Sequence, residues 1–166
     1  MDSSRQGLSG EDERTALAGL PPMPRVVAAD ICHQVLMRVL PGAACGDFAP
    51  FADGITQIQE QLGAHFAAAQ SGDAFTSVAV GRLIRWMGQA SRHGEGSRAA
   101  IGQSSWGPTG FAILPGQAQA EALVAAARSA GQVSPELQIH VVAARNHGAT
   151  LVERRHLGVA AHAAAT

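Results

Sequence analysis

Gly102-Gln103-Ser104-Ser105-Trp106-Gly107-Pro108-Thr109-Gly110 is the stretch around which this 166-residue chain is organised. It sets three glycines, a proline, three hydroxyl side chains and a tryptophan between the apolar segments Ala99–Ile101 and Phe111–Leu114. Short apolar runs on either side of a Gly/Pro-rich turn read as antiparallel strands, here Ala99–Gln103 and Gly110–Leu114. Glycine permits positive φ and close approach of a ligand to the backbone. Successive N–H groups in such a turn can line an anion-binding concavity, to which Ser and Thr hydroxyls add hydrogen bonds. That chemistry suits phosphate, although the spacing is neither the Walker loop nor the dinucleotide fingerprint. A plain hairpin whose tryptophan covers the core would use the same residues.

Outward from the turn the period changes to that of helices. On the N-terminal side, Ser77 to about Ser91 places Val80, Leu83, Ile84 and Met87 on one face. Before it, Phe48, Phe51, Ile55, Ile58, Leu62 and Phe66 recur at steps of three and four, a continuous apolar face with Asp47 as N-cap. Asp53, Gln57 and Glu60 fall on its wetter side. A further helix spans Arg25–Leu40 and is expected to stop at Pro41-Gly42. Residues 1–24 read as an extended lead-in with one short helical turn, for which Ser9 is the natural cap. On the C-terminal side, Gln117–Ala130 reads as an alanine-rich helix with Ala122, Leu123 and Ala126 inward and Gly131 past its end. Leu137–Ala143 alternates and reads as a half-buried strand. Asn146-His147-Gly148 reads as a turn, Ala149–Glu153 as a short last strand and residues 154–166 as a frayed tail. The domain proper is thus 25–153, an α+β order with helices on one face of a small antiparallel sheet.

Composition narrows the function classes. All twelve basic residues are arginine, the formal net charge is −1, and no basic face marks a nucleic-acid binder. No apolar run reaches the length of a membrane span, and Met1–Asp12 is no signal peptide. Two cysteines, Cys32 and Cys45, make neither a disulfide scaffold nor a metal site, so a cytoplasmic protein with reduced thiols is expected. The histidines are scattered: His33 and His65 lie close to apolar faces, and His140 points outward. No catalytic triad follows from spacing, and no metal ligand set is visible. Arg145-Asn146 at a strand end could reach a phosphate or carboxylate, or could simply belong to a surface turn.

These residues carry a resemblance. Gly102, Gln103, Ser104, Ser105, Trp106, Gly107, Pro108 and Thr109 resemble the C-terminal signature of the β-ribofuranosylaminobenzene 5′-phosphate synthases. Those enzymes belong to the superfamily of galactokinase, homoserine kinase, mevalonate kinase and phosphomevalonate kinase, the GHMP kinases. The Gly-Pro-Thr part is similar to that superfamily's third glycine-rich motif, and Gln-Ser-Ser-Trp points to the synthases. Gly7-Leu8-Ser9-Gly10 with Glu13, Leu36–Pro41 followed by Gly46-Asp47-Phe48, Gln59–Phe66 and Arg145–Ala149 resemble further elements of the family.

The resemblance implies a ferredoxin-like GHMP C-terminal domain and an activity in tetrahydromethanopterin biosynthesis. Phosphoribosyl pyrophosphate and a 4-aminobenzoate-type acid would give a C-riboside phosphate, pyrophosphate and carbon dioxide, with Mg²⁺ accompanying the pyrophosphate. It places the phosphorylated sugar at Gly102–Thr109, Arg145 and Asn146, with Gly7, Ser9 and Gly10 in supporting positions. Trp106 would stack on the aromatic acid or shape a pocket wall. It assigns no general acid or base within the chain. The family's members are about twice as long, and a strand precedes their Gly-Leu-Ser-Gly element. The expectation is therefore a C-terminal half lacking one strand and inactive alone, its partner a separately encoded N-terminal half or a second copy. A GHMP-type small-molecule kinase fragment and a non-catalytic binding or interaction module are the other classes.

Overall fold

In the computed structural model, residues 1–93 and 98–149 are described. Helix α1 spans Gly10–Gly19 and α2 spans Arg25–Gln34. A π-helical turn, Val35–Val39, leads into α3, Leu40–Cys45. Then follow α4 (Phe48–Phe66), a 3₁₀ turn (Ala67–Ala69), α5 (Val78–His93), β1 (Ala100–Ser104), β2 (Thr109–Ile113) and α6 (Gln117–Ser129). Helices against a two-stranded antiparallel sheet make this an α+β domain.

The hairpin pairs in register from Ala100 opposite Ile113 to Ser104 opposite Thr109. The core is built by α5 and α6 against it: Val80, Leu83, Ile84, Met87, Leu123 and Ala127 are buried with Phe75, Ala99 and Leu137. Gly110 is required here, because a Cβ on it would stand 2.6 Å from Val80 Cγ1 and 2.7 Å from Ile84 Cγ1. On α6 the inward pair is Leu123 and Ala127, at the helical spacing of four, while Ala122 and Ala126 face solvent.

Helix α4 runs along β1 and closes its outer edge with side chains. Thr56 Oγ1 accepts the Ile101 N–H (3.2 Å) and Gln59 Oε1 accepts the Gln103 N–H (2.9 Å). A strand edge that would otherwise be unpaired is thereby satisfied by a helix. The deepest residues of α4 are accordingly small, Ala52, Gly54 and Thr56, and the Phe48-to-Phe66 stripe is only half-buried. On its other side α4 meets α2 through Asp30. The Asp30 carboxylate accepts from Gln61, from Gln34 Nε2 (3.2 Å) and from Gln57 Nε2 (3.3 Å). The Gln61 and Gln34 amides hold that carboxyl below its usual range although burial opposes them. Asp53, on the wetter side, pairs with Arg98 at 3.2 Å.

Four expectations are corrected. Pro41-Gly42 does not end a helix: the π-helical turn Val35–Val39 lies just before it, and the helical backbone passes through Pro41 into α3. The helix stops instead at Gly46, in the left-handed conformation at φ 71°. The continuous helical run Arg25–Cys45, 21 residues, is long and apolar enough to cross a membrane by length and composition, which the broken reading missed. The lead-in holds a ten-residue helix, α1, not one turn; Ser9 occupies its cap position without a side-chain bond. Leu137–Ala143 is not a strand: only Leu137 bridges, to Asp2. All of the Ala149–Glu153 run after Ala149, and the 154–166 tail, lie outside the described residues.

That bridge ties the two chain segments together. Asp2 N–H donates to Pro108 O (3.2 Å), while Met1 and Gln138 exchange backbone bonds. Asp2, 4 % exposed, accepts from the Ser77 hydroxyl (2.6 Å) at the start of α5 and from Ser4 Oγ (2.6 Å). The Ser4 hydroxyl, then Ser77, hold the Asp2 carboxyl below its ordinary range against the effect of burial. A carboxyl depressed on folding contributes stability that is full above its unfolded value, about 3.9, and is lost as pH falls through the lower folded value. The wild-type chain is therefore expected to lose stability below about pH 4. Asp2→Asn should be less stable at neutral pH and show a flatter acid limb in urea unfolding followed from pH 7 to pH 3. Parallel acid limbs would contradict this.

Candidate functional site

The turn between β1 and β2 is held from inside by one amide. Gln103, 8 % exposed, points inward. Its Oε1 accepts the Thr76 N–H (2.8 Å), and its Nε2 donates to Gln70 Oε1 (2.8 Å) and Ser105 O (3.1 Å). Thr76 Oγ1 donates to Trp106 O at 2.7 Å and lies 2.8 Å from Gln70 Oε1. Gly107 N–H closes the turn on Ser104 O (2.9 Å). Every polar atom of the Gln103 side chain is thus spent on fixing the turn.

Ser104 and Ser105 are exposed. Ser105 adopts φ 50° and Gly107 φ 66°; the left-handed conformation is unusual for serine and is typical of strained functional turns. The Gly107–Pro108 bond is cis. Gly7 lies against this turn: a Cβ there would collide with Gly107 O and stand 3.0 Å from Trp106 O. Gly102 is held free of a side chain by Gln59, whose amide fills the space. Thr109 is half-buried at the start of β2.

Trp106 is 7 % exposed, meets Phe66 edge-on at 5.2 Å between ring centroids, and donates its indole N–H to Glu13 Oε1 (2.9 Å). It is a wall of a cavity of about 720 Å³ enclosed by α1, α4 and the hairpin. Helix α1 buries no side chain completely, so this bond is a main tie between it and the rest. Arg145 and Asn146 are exposed, and among the described residues neither is hydrogen-bonded to the turn. His33 is exposed, while His65 packs edge-on against Phe66 at 5.1 Å.

The structure therefore joins Gly7 to the Trp106-Gly107 part of the turn, with no hydrogen bond from Arg145 or Asn146 to it among the described residues. Sequence reasoning missed Gln59, Gln70 and Thr76 as the turn's supports. They stand 27 to 44 residues away along the chain, and isolated glutamines give no periodic signal.

Chemically, the exposed rim offers the hydroxyls of Ser104 and Ser105, which can donate to the oxygens of a phosphate. Among the described residues no group of three or more His, Cys, Asp or Glu is arranged to hold a metal ion. The rim's two hydroxyls supply no carboxylate and are not a ligand set for Mg²⁺. A family model for the GHMP kinases C-terminal region matches residues 39–133, which spans α3, α4, α5, the hairpin and α6 and leaves out α1 and α2. No curated protein and no solved structure matches the chain.

Proposed function

The chain belongs to the GHMP kinase C-terminal domain family, and on that footing we propose that it is the C-terminal part of a β-ribofuranosylaminobenzene 5′-phosphate synthase. In this reading it binds the phosphate end of phosphoribosyl pyrophosphate while a 4-aminobenzoate-type acid displaces pyrophosphate and loses carbon dioxide. The observation that carries it is the Gln103 clamp. An amide spent on the backbone of Ser105 and Thr76 and on the Gln70 side chain holds the Ser104–Ser105 rim rigid and free to donate. Preorganised donors stabilise a departing polyanion because no reorganisation is needed as charge develops.

The remaining groups of the site are assigned to a complementing N-terminal half. The fold supports such a partner. The alternation that turns Ile101 and Gln103 toward α4 turns their opposite numbers, Ala112 and Gly110, to the outer edge of β2. An open edge is a template for a strand of another chain.

The test is an assay for pyrophosphate and carbon dioxide release from phosphoribosyl pyrophosphate and 4-aminobenzoate. It is run on the chain alone and after co-expression with the N-terminal half of a β-ribofuranosylaminobenzene 5′-phosphate synthase. No turnover alone and measurable turnover with the half are expected. Full turnover by the chain alone, or none in a purified complex, would overturn the reading.

A further inference from the structure

The cavity behind the turn has a chemistry opposite to that of the rim. At about 720 Å³ it is within the range of small-molecule sites. Its apolar walls include the rings of Phe66, Phe75 and Trp106. Three charged side chains line it: Glu13, Glu60 and Arg85. Arg85 is already committed, its guanidinium 2.5 Å from Asp73 Oδ1 and lying over the Phe75 ring at 5.0 Å. Glu13 receives one indole N–H from Trp106, which leaves most of its lone pairs open. Glu60 is exposed at the rim and makes no ion pair among the described residues.

The cavity thus presents aromatic surface and two uncompensated carboxylates. An anion entering it would face both glutamates, while the one cation of its lining, Arg85, is offset by Asp73. An ammonium would find carboxylate acceptors and the negative faces of aromatic rings, the combination by which proteins recognise organic cations. We propose that this cavity binds a flat organic ammonium ion, with Glu13 and Glu60 taking the charge and Phe66, Phe75 and Trp106 the apolar body. Ser105 borders both this cavity and the rim, but the proposal rests on Glu13, Glu60 and the rings and not on the phosphate reading, so either can fail without the other.

Three probes of one shape test it on the full chain: 1-naphthylmethylammonium, 1-naphthylmethanol and 1-naphthoate. Binding is measured by calorimetry and by the indole N–H resonance of Trp106, with that of Trp86 as internal control. The ammonium is expected to bind about ten-fold more tightly than the alcohol, and the carboxylate more weakly than either. It should shift the Trp106 signal. Glu60→Gln, at an exposed position that leaves the unfolding temperature unchanged, should remove most of the ammonium's advantage and leave the alcohol's affinity as it was. Glu13→Gln should do the same. Equal affinity for ammonium and alcohol, tighter binding of the carboxylate, no binding of any probe, or binding that leaves Trp106 unmoved would each overturn the proposal.

Discussion

Gln103→Leu is expected to destabilise the chain by about 3 kcal/mol, the sum of several broken bonds to partly buried groups. Leucine keeps roughly the volume but offers nothing to the Thr76 N–H, which stands 2.8 Å from the present acceptor. It also leaves Gln70 Oε1 and Ser105 O without their donor. Thr76 lies two residues before α5, so losing this bond loosens the joint between the hairpin and the helix that carries the core. Urea unfolding measures the loss, and amide hydrogen exchange locates it: Thr76 should exchange faster, Leu123 unchanged in rank. A loss below about 1 kcal/mol would mean that the amide is a passenger and not the clamp.

Trp106→Ala should cost about 3 kcal/mol, the low end for a large aromatic, because the ring has a cavity on one side and cannot be fully packed. The distinguishing effect is on α1. With the indole gone, Glu13 loses its partner and Phe66 its edge-on neighbour. Helix α1 has no fully buried side chain to hold it in place. Trypsin cleavage after Arg14 is expected to accelerate about ten-fold, reporting local opening. Trp106→Phe separates the two contributions: it keeps most of the packing, costs about 1 kcal/mol for the single hydrogen bond, and should still speed cleavage. Unchanged cleavage in both variants would show that α1 is held by something other than the indole.

How far the sequence could be read depended on what each segment packs against. The hairpin was legible because Gly and Pro punctuation is local, and its strands fall within one residue of the expected ones. Helices α4 and α5 were legible from their period and α6 from its alanine content and Gly131, although its inward face is Leu123 and Ala127. Pro41 misled because it follows closely on a π-helical turn, where the regular bonding is already interrupted, and that turn leaves no mark in the sequence. Leu137–Ala143 has the alternation of a strand but gains ladder bonds only where Asp2 reaches it, since a strand exists only with a partner. At the site, the turn itself was visible and its inward-facing amide was not. Whether Gln103 faces solvent or the interior depends on Gln59, Gln70 and Thr76, brought to it by the fold.

The most direct test of the turn as an anion site is a titration of the ¹⁵N-labelled chain with inorganic pyrophosphate, followed through its backbone amides. The expected result is a saturable shift at Ser104, Ser105 and Gly107, weakened by Ser104→Ala with Ser105→Ala, with the amides of α6 unmoved. The absence of any shift at the turn up to ~10 mM, beyond the millimolar range of weak specific binding, or saturable shifts only elsewhere, would contradict it.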